Sequence, residues 1–474
     1  MEKNQLLNQH LIWRAGFGPA ARQLPELSRY KPKDFFNILQ KASSDIPTPL
    51  DVATPEMKQE MYDMKAGKKD GANAEERKKR QQLNREGVRN LNLSWMDAMI
   101  HSPAQLREKM AFFWHGHFAC RTQNFVQNQQ LINLIRTHAL GDFGMLLREV
   151  SRSGAMINFL NNQQNKKDHP NENFARELME LFTLGRGHYT EEDVKEAARS
   201  FTGWSAQPTG EFLFRRAFHD TGTKTILGKT GNFKGDDVLQ ILLQQKQTAR
   251  HITKKLWRFL VSESPDEARI DKLAEGFFQS GYQIMPLLEA MFLGAGFFDK
   301  KNIGSLIKSP VELIVGIRRM IPMELKREES MLLLQRAMGQ VLFYPPNVAG
   351  WPGGKNWIDS SSLLLRMRLP LLLSNADEFN VGAKDDDDVM MGMGKRREGM
   401  MQQMVSTSKW DAVFSAFADT RREQLPSAIQ ACLLQMPVET NQAVITRFTD
   451  NRSRESFIRS HMMHVMSMPE YQLC

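Results

Sequence analysis

Only three cysteines occur in 474 residues, Cys120, Cys432 and Cys474, and none forms a CxxC pair. An odd and scattered count argues against a disulfide framework and against a structural zinc site of the usual spacing. No run approaches the roughly 20 continuous apolar residues of a membrane span. The first residues, MEKNQLLNQHLIWRAGFGPA, lack a basic start followed by an apolar core and a small-residue cleavage site, so no signal peptide is expected. These absences point to a cytoplasmic chain with reduced thiols, unless a partner carries it outward. Catalytic fingerprints are missing as well. There is no GxSxG, HExxH or P-loop, and Gly16-Phe17-Gly18 lacks the preceding strand that a phosphate loop needs. No RRM, zinc-finger or homeodomain signature is present, so nucleic acid is not an expected partner. The absence of a fixed-period repeat argues against a solenoid.

What is present is ordinary globular material: 41% apolar, 25% charged and 9% aromatic residues, with a net charge of +9. The surplus of base permits an anionic partner without requiring one. The 28 methionines read as adaptable core filling and Met-rich loops. Helical periodicity dominates. Leu106, Met110, Phe113 and Trp114 form one stripe, Thr190 precedes three acidic residues, Ser264-Pro265-Asp266-Glu267 reads as a capping box, and Ser309-Pro310 opens another helix. Strand-like alternation is confined to Glu211–Phe218, with Thr225–Leu227 as its partner after a turn at Gly222. The expected fold is therefore mainly α, a multi-helical globular array with at most one short β-hairpin. Residues 1–373 form the core domain, with a charged excursion at about 56–90. Residues 374–408 read as a flexible Met/Gly-rich charged linker, and 409–474 as a small C-terminal helical unit.

Polar residues stand in unexpected company at three places, and a fourth segment has shape rather than ionisable chemistry. In Phe112–Phe118, His115 and His117 suggest a metal site, but positions i and i+2 diverge by about 200° on a helix. Packing histidines are the plainer reading. In Asn171–Gly185, read as a helix of about three turns, Asn173, Arg176, Glu177, Glu180 and Thr183 share one face on a 100° wheel. Glu177 and Glu180 could serve one ion or one proton, and Arg176 an anionic group. A solvated amphipathic helix would look the same. His219-Asp220 sits on a turn, as an acid–base or ligand pair or as an Asx turn. Finally, Pro345–Trp357 is a Pro/Gly-fixed loop carrying Trp351 and Trp357, whose rings suit a sugar or base and equally suit a core plug.

The segments HLIWRAGFGPA, MAFFWHGHF, NENFARELMELFTLGRGHYTEEDVKEAARSFTGW, FHDTGTKTILG, TARHITKKLWRFLV, SPVELIVG and LFYPPNVAGWPGGKNWIDSSSLLLRM, in this order, resemble the bacterial family catalogued as domain of unknown function 1800, over about Leu11 to Leu373. The resemblance implies no reaction. It implies frequent export, and a neighbouring phosphatase- or sulfatase-like protein as a partner in work on an envelope or extracellular polymer. Two departures stand out: Phe182 occupies a place where many members carry His, and no signal peptide is visible. The resulting expectation is a polar cleft that is hydrolase-like and dependent on a divalent metal. Arg176, Glu177, Glu180 and Asp220 would be catalytic, His115, His117 and His219 would be ligands, and Asn173, Trp351 and Trp357 would bind substrate. The alternative is a non-catalytic scaffold for glycans, anionic ligands or that partner. A weaker third reading gives the basic stretch Lys68–Arg89 to nucleic acid.

Overall fold

A computed structural model describes residues 3–59, 74–374, 406–436 and 442–474. The fold is mainly helical, as the periodicity implies. Its centre is the helix Gln105–His117, in which every residue but Gly116 is buried. The apolar stripe alone does not explain this burial, because Arg107, Glu108 and Lys109 lie on the same helix and are buried too. A helix without a solvent face must pair each charge inside the protein. Arg107 donates to the carbonyls of Ser43, Arg136 and Thr137 at 2.8–3.1 Å. Glu108 accepts from Arg136 at 2.6 Å and from the Trp95 indole at 3.0 Å. Lys109 reaches Glu312 and the Trp13 carbonyl, with the Phe17 and Phe259 rings on either side. Three consecutive side chains thus tie five other parts of the chain to one helix.

Local signals set the surrounding helices. Thr190 and Asp193 form a reciprocal cap for Glu191–Ser200, and Ser309 and Glu312 do the same for Pro310–Met320. The helix expected from Ser264 begins later: Asp266 is its cap and Glu267–Gln279 its extent. Asp359 caps Ser360–Leu373. The Trp-bearing loop closes on the central helix at Gly350, which has φ +85°. A Cβ there would stand 2.5 Å from the Gly116 carbonyl, so only glycine fits.

Three two-stranded antiparallel ladders replace the single hairpin among the described residues. Phe212–Phe214 pairs backwards with Trp204–Ala206 across Gly210, and not with Thr225–Leu227. Lys224–Ile226 pairs forwards with Lys229–Gly231. Leu227 and Gly228 both have positive φ, 48° and 77°, the two-residue turn that matches strand twist. Met323–Leu325 pairs with Ser406–Ser408.

The excursion at 56–90 is described only in part. From Ala74 it is the exposed start of one helix, Ala74–His101, which becomes buried at Gly87. Residues 375–405, most of the expected linker, lie outside the described residues. The C-terminal region packs into the same core as the first helix: Trp410, Val413, Leu425 and Ile429 share one apolar cluster with Leu11 and Trp114. Gln9 donates to the Cys432 carbonyl, and Leu306 and Cys474 exchange two backbone hydrogen bonds. The described residues after 409 thus share their apolar cluster with the core domain.

Removing one partner of a buried ion pair strands the other. Glu108→Gln should lower unfolding free energy by about 3–5 kcal/mol. Loss of the exposed Lys58–Asp51 pair should cost about 1 kcal/mol or less. Urea titration reads both, and a small cost at Glu108 would show that the central charges do not organise the fold.

Candidate functional site

The expected polar face is not one surface. The α-helix Asn173–Glu177 passes into a π turn, Leu178–Thr183. A π turn takes more residues per revolution than the 100° wheel assumes. Thr183 therefore rotates inward, fully buried, with its hydroxyl on the Leu178 carbonyl at 2.7 Å. The remaining polar groups pair locally. Arg176 forks to Glu191 and also holds Glu172 at 2.9 Å. Glu180 accepts from Tyr189 at 2.6 Å and from Arg186, and the Tyr189 bond leads in holding its carboxyl below the usual range. Asn173 donates to the Leu160 carbonyl. Glu177 is half-buried, and burial followed by Glu180 pushes its carboxyl up. Asp220 makes the Asx turn to Gly222 at 2.7 Å and binds Arg199, which holds it low.

The three histidines sit in different surroundings. His115 packs edge-on to Trp95 and against Phe343 and Trp351, and accepts from the Phe343 N–H at 3.2 Å. His117 lies among Phe113, Phe118 and Phe182, with Nε2 3.3 Å from the Phe182 carbonyl. His219 places Nδ1 2.9 Å from the Thr202 carbonyl, beside Phe214. Among the described residues, no three His, Cys, Asp or Glu side chains are grouped to hold a metal ion. The donors present do not fit the divalent metal that the sequence suggested.

The structure instead gathers His117, Trp351 and Trp357 around a pocket of about 460 Å³. The central helix contributes Lys109, Phe112, Phe113, Gly116 and His117. Arg14 comes from the end of Lys3–Arg14, Lys255, Arg258 and Phe259 from Lys246–Leu260, and Glu312 from the start of Pro310–Met320. Four cations and two carboxylates, Glu263 and Glu312, therefore line aromatic walls. Lys109 is bound to Glu312, whose carboxyl burial would raise but which Lys109 and the Ser309 N–H hold below its usual value. Arg14 is 1% exposed. One nitrogen reaches the Asn302 and Cys474 backbone oxygens, while Nε and Nη1 have no partner. Burial lowers its pKa, opposed by negative charge at Cys474 and Glu312. Burial likewise brings the Lys255 ammonium down to about 8.

His117 adds the opposite polarity. Burial, then Lys255 and His251, keep its ring neutral. Nε2 must then carry the proton it donates to Phe182, which leaves Nδ1, buried and unpartnered, as a lone-pair acceptor. The pocket thus combines flat apolar walls, surplus positive charge and a neutral acceptor. Sequence reading found His117 and both tryptophans but missed Arg14, Lys109, Lys255 and Glu312. Their signal was a charge inside an otherwise apolar helical motif, as in LIWRAG and EKMAFFW.

Burial depresses the His115 pKa from 6.5 to about 3. The unfolded chain then binds this proton more tightly than the folded one, so stability falls as pH drops from about 6.5 towards 3. His115→Gln keeps an acceptor for Phe343. Its unfolding free energy should decline less steeply between those limits, by about 1.4 kcal/mol per pH unit. An unchanged slope would contradict a neutral His115.

No curated protein and no solved structure matches the chain. One family model does, described as "Protein of unknown function (DUF1800)", and it covers residues 10–473, which include the pocket lining except Cys474 and extend through the C-terminal region beyond the sequence motifs. The chain belongs to the DUF1800 family.

Proposed function

We propose that the protein binds an acidic saccharide, such as a uronate or phosphorylated residue of an envelope polymer, in the Trp351–Trp357 pocket. One observation carries this reading: Arg14, almost wholly buried, lines the pocket and keeps two nitrogens unpaired. A buried guanidinium satisfied at only one of its three nitrogens is costly, and a carboxylate or phosphate relieves the other two. Tryptophan faces suit the apolar face of a sugar ring, and the His117 Nδ1 lone pair suits a hydroxyl. The metal-dependent hydrolase gains less support. Arg176, Glu180 and Asp220 are each engaged in local ion pairs away from this pocket. A binding role alongside a phosphatase- or sulfatase-like partner fits the pocket without assigning a reaction.

Calorimetry on the purified chain with tri-galacturonate and its neutral counterpart tests the reading. The acidic ligand should bind roughly tenfold tighter, a difference of ~1.4 kcal/mol. Trp351→Ala should remove most of that binding, and Glu177→Ala should leave it unchanged. Equal affinity for both ligands, or loss confined to Glu177→Ala, would overturn it. Lys255 adds a pH signature. Its ammonium discharges through about pH 8, so affinity for the anion should fall from pH 7 to pH 9.5, and Lys255→Arg should flatten that fall. A flat wild-type profile would remove Lys255 from the site.

A further inference from the structure

A second concavity, of about 630 Å³, is lined by basic residues. One wall is the exposed first half of Ala74–His101. Arg77, Arg80 and Arg85 recur there at i, i+3 and i+8, one face of a helix about 12 Å long over that interval. The other wall is the turn at Arg121, with Tyr344 beside it. Lys78 completes five cations, and no described carboxylate lines the cleft. Glu75, Glu76 and Glu86 lie on the same helix but are not part of that lining, and Glu86 is placed 3.7 Å from Arg89.

The cleft is preformed. The Asn84 side chain accepts from the Phe125 N–H at 3.1 Å, and Asn128 donates to the Thr122 carbonyl at 2.8 Å. These bonds fix the Arg121 turn against the helix. Cations converging on one cleft from two separate segments raise the local positive potential and favour an anion there. Arginine dominates the set, and its planar fork matches tetrahedral oxyanions with two parallel hydrogen bonds.

We propose that this cleft binds a linear polyanion, a sugar or polyol chain bearing phosphate diesters or sulfate esters, which spans Arg77, Arg80 and Arg85 on one wall and Arg121 on the other. A base-bearing strand fits less well. Tyr344 is the only aromatic residue of the described lining, and the Arg121 guanidinium already lies 5.8 Å from its ring centroid. Single-strand binders offer successive open rings to successive bases. The chain segments around Gly116–Gln123 and Phe343–Trp357 contribute to both concavities. The proposal nevertheless uses different residues from the saccharide pocket and does not depend on its occupancy.

Fluorescence anisotropy of the full chain with labelled dextran sulfate and with a labelled glycerol-phosphate oligomer tests it, from about 50 to about 300 mM salt. Each neutralised charge on a flexible chain contributes about −0.7 to the slope of log K against log salt. Arg77→Gln/Arg85→Gln should weaken binding roughly tenfold and flatten the slope by about 1.4. Arg121→Gln should weaken it further. The charge-matched double variant Lys300→Gln/Lys301→Gln, on exposed residues elsewhere, should change neither. Preference between the two probes separates sulfate from phosphodiester chemistry. Absence of binding at the lowest salt, or equal loss in both double variants, would overturn the site. Tighter binding of an oligothymidylate of equal charge would overturn its ligand class. Trp351→Ala should leave this binding intact, so the cleft and the pocket stand or fall separately.

Discussion

Arg107, Glu108 and Lys109 point three ways from a helix that has no face in water. Each therefore has to be met by another element, and the partners come from far apart in the chain. Arg136 and Trp95 meet Glu108, the carbonyls of Ser43, Arg136 and Thr137 meet Arg107, and Glu312 with the Trp13 carbonyl meets Lys109. Burial in an apolar core is tolerant of sliding. A buried charge is not, because a displaced partner leaves an uncompensated ion. The triplet thus gives the helical array a register that hydrophobic contact alone would leave loose.

The same constraint builds the pocket. Lys109 draws the start of Pro310–Met320 towards the central helix, and Arg14, one residue past Trp13, arrives with it. The central helix then ends at Gly116 and His117, where Gly350 permits the tryptophan loop to close at contact distance. Polar groups that cannot all be satisfied within the fold, the Arg14 nitrogens and His117 Nδ1, are left in residues lining a concavity. Unpaired buried polar atoms on residues that also line a concavity are placed where a ligand can complete the bonding.

Much of the fold was legible because its signals are local. Caps at Thr190 and Ser309 depend on residues three positions apart, and the structure uses both. The misses share a cause. The π turn after Glu177 changes the helical period within one segment, so a regular wheel placed Thr183 on a polar face from which the structure turns it away. Near Phe212, alternation shows that a strand exists, but its partner depends on where the chain turns. Arg14, Lys109 and Lys255 were passed over because a single charge in an apolar stretch has no pattern of its own. Its meaning lies in partners such as Glu312, 203 residues away from Lys109. Conversely, Asp220 looked catalytic beside His219 and is a turn-former bonded to Gly222 and Arg199.

The central claim is that the site lies between Arg14 and the Trp351–Trp357 loop, and not on the Asn173–Glu180 segment. A crystal structure of the protein soaked with tri-galacturonate tests it most directly. The account predicts a uronate ring against Trp351, with its carboxylate reaching the unpaired Arg14 nitrogens. Density seated on Glu177 and Glu180, or an empty pocket with the ligand bound elsewhere, would contradict it.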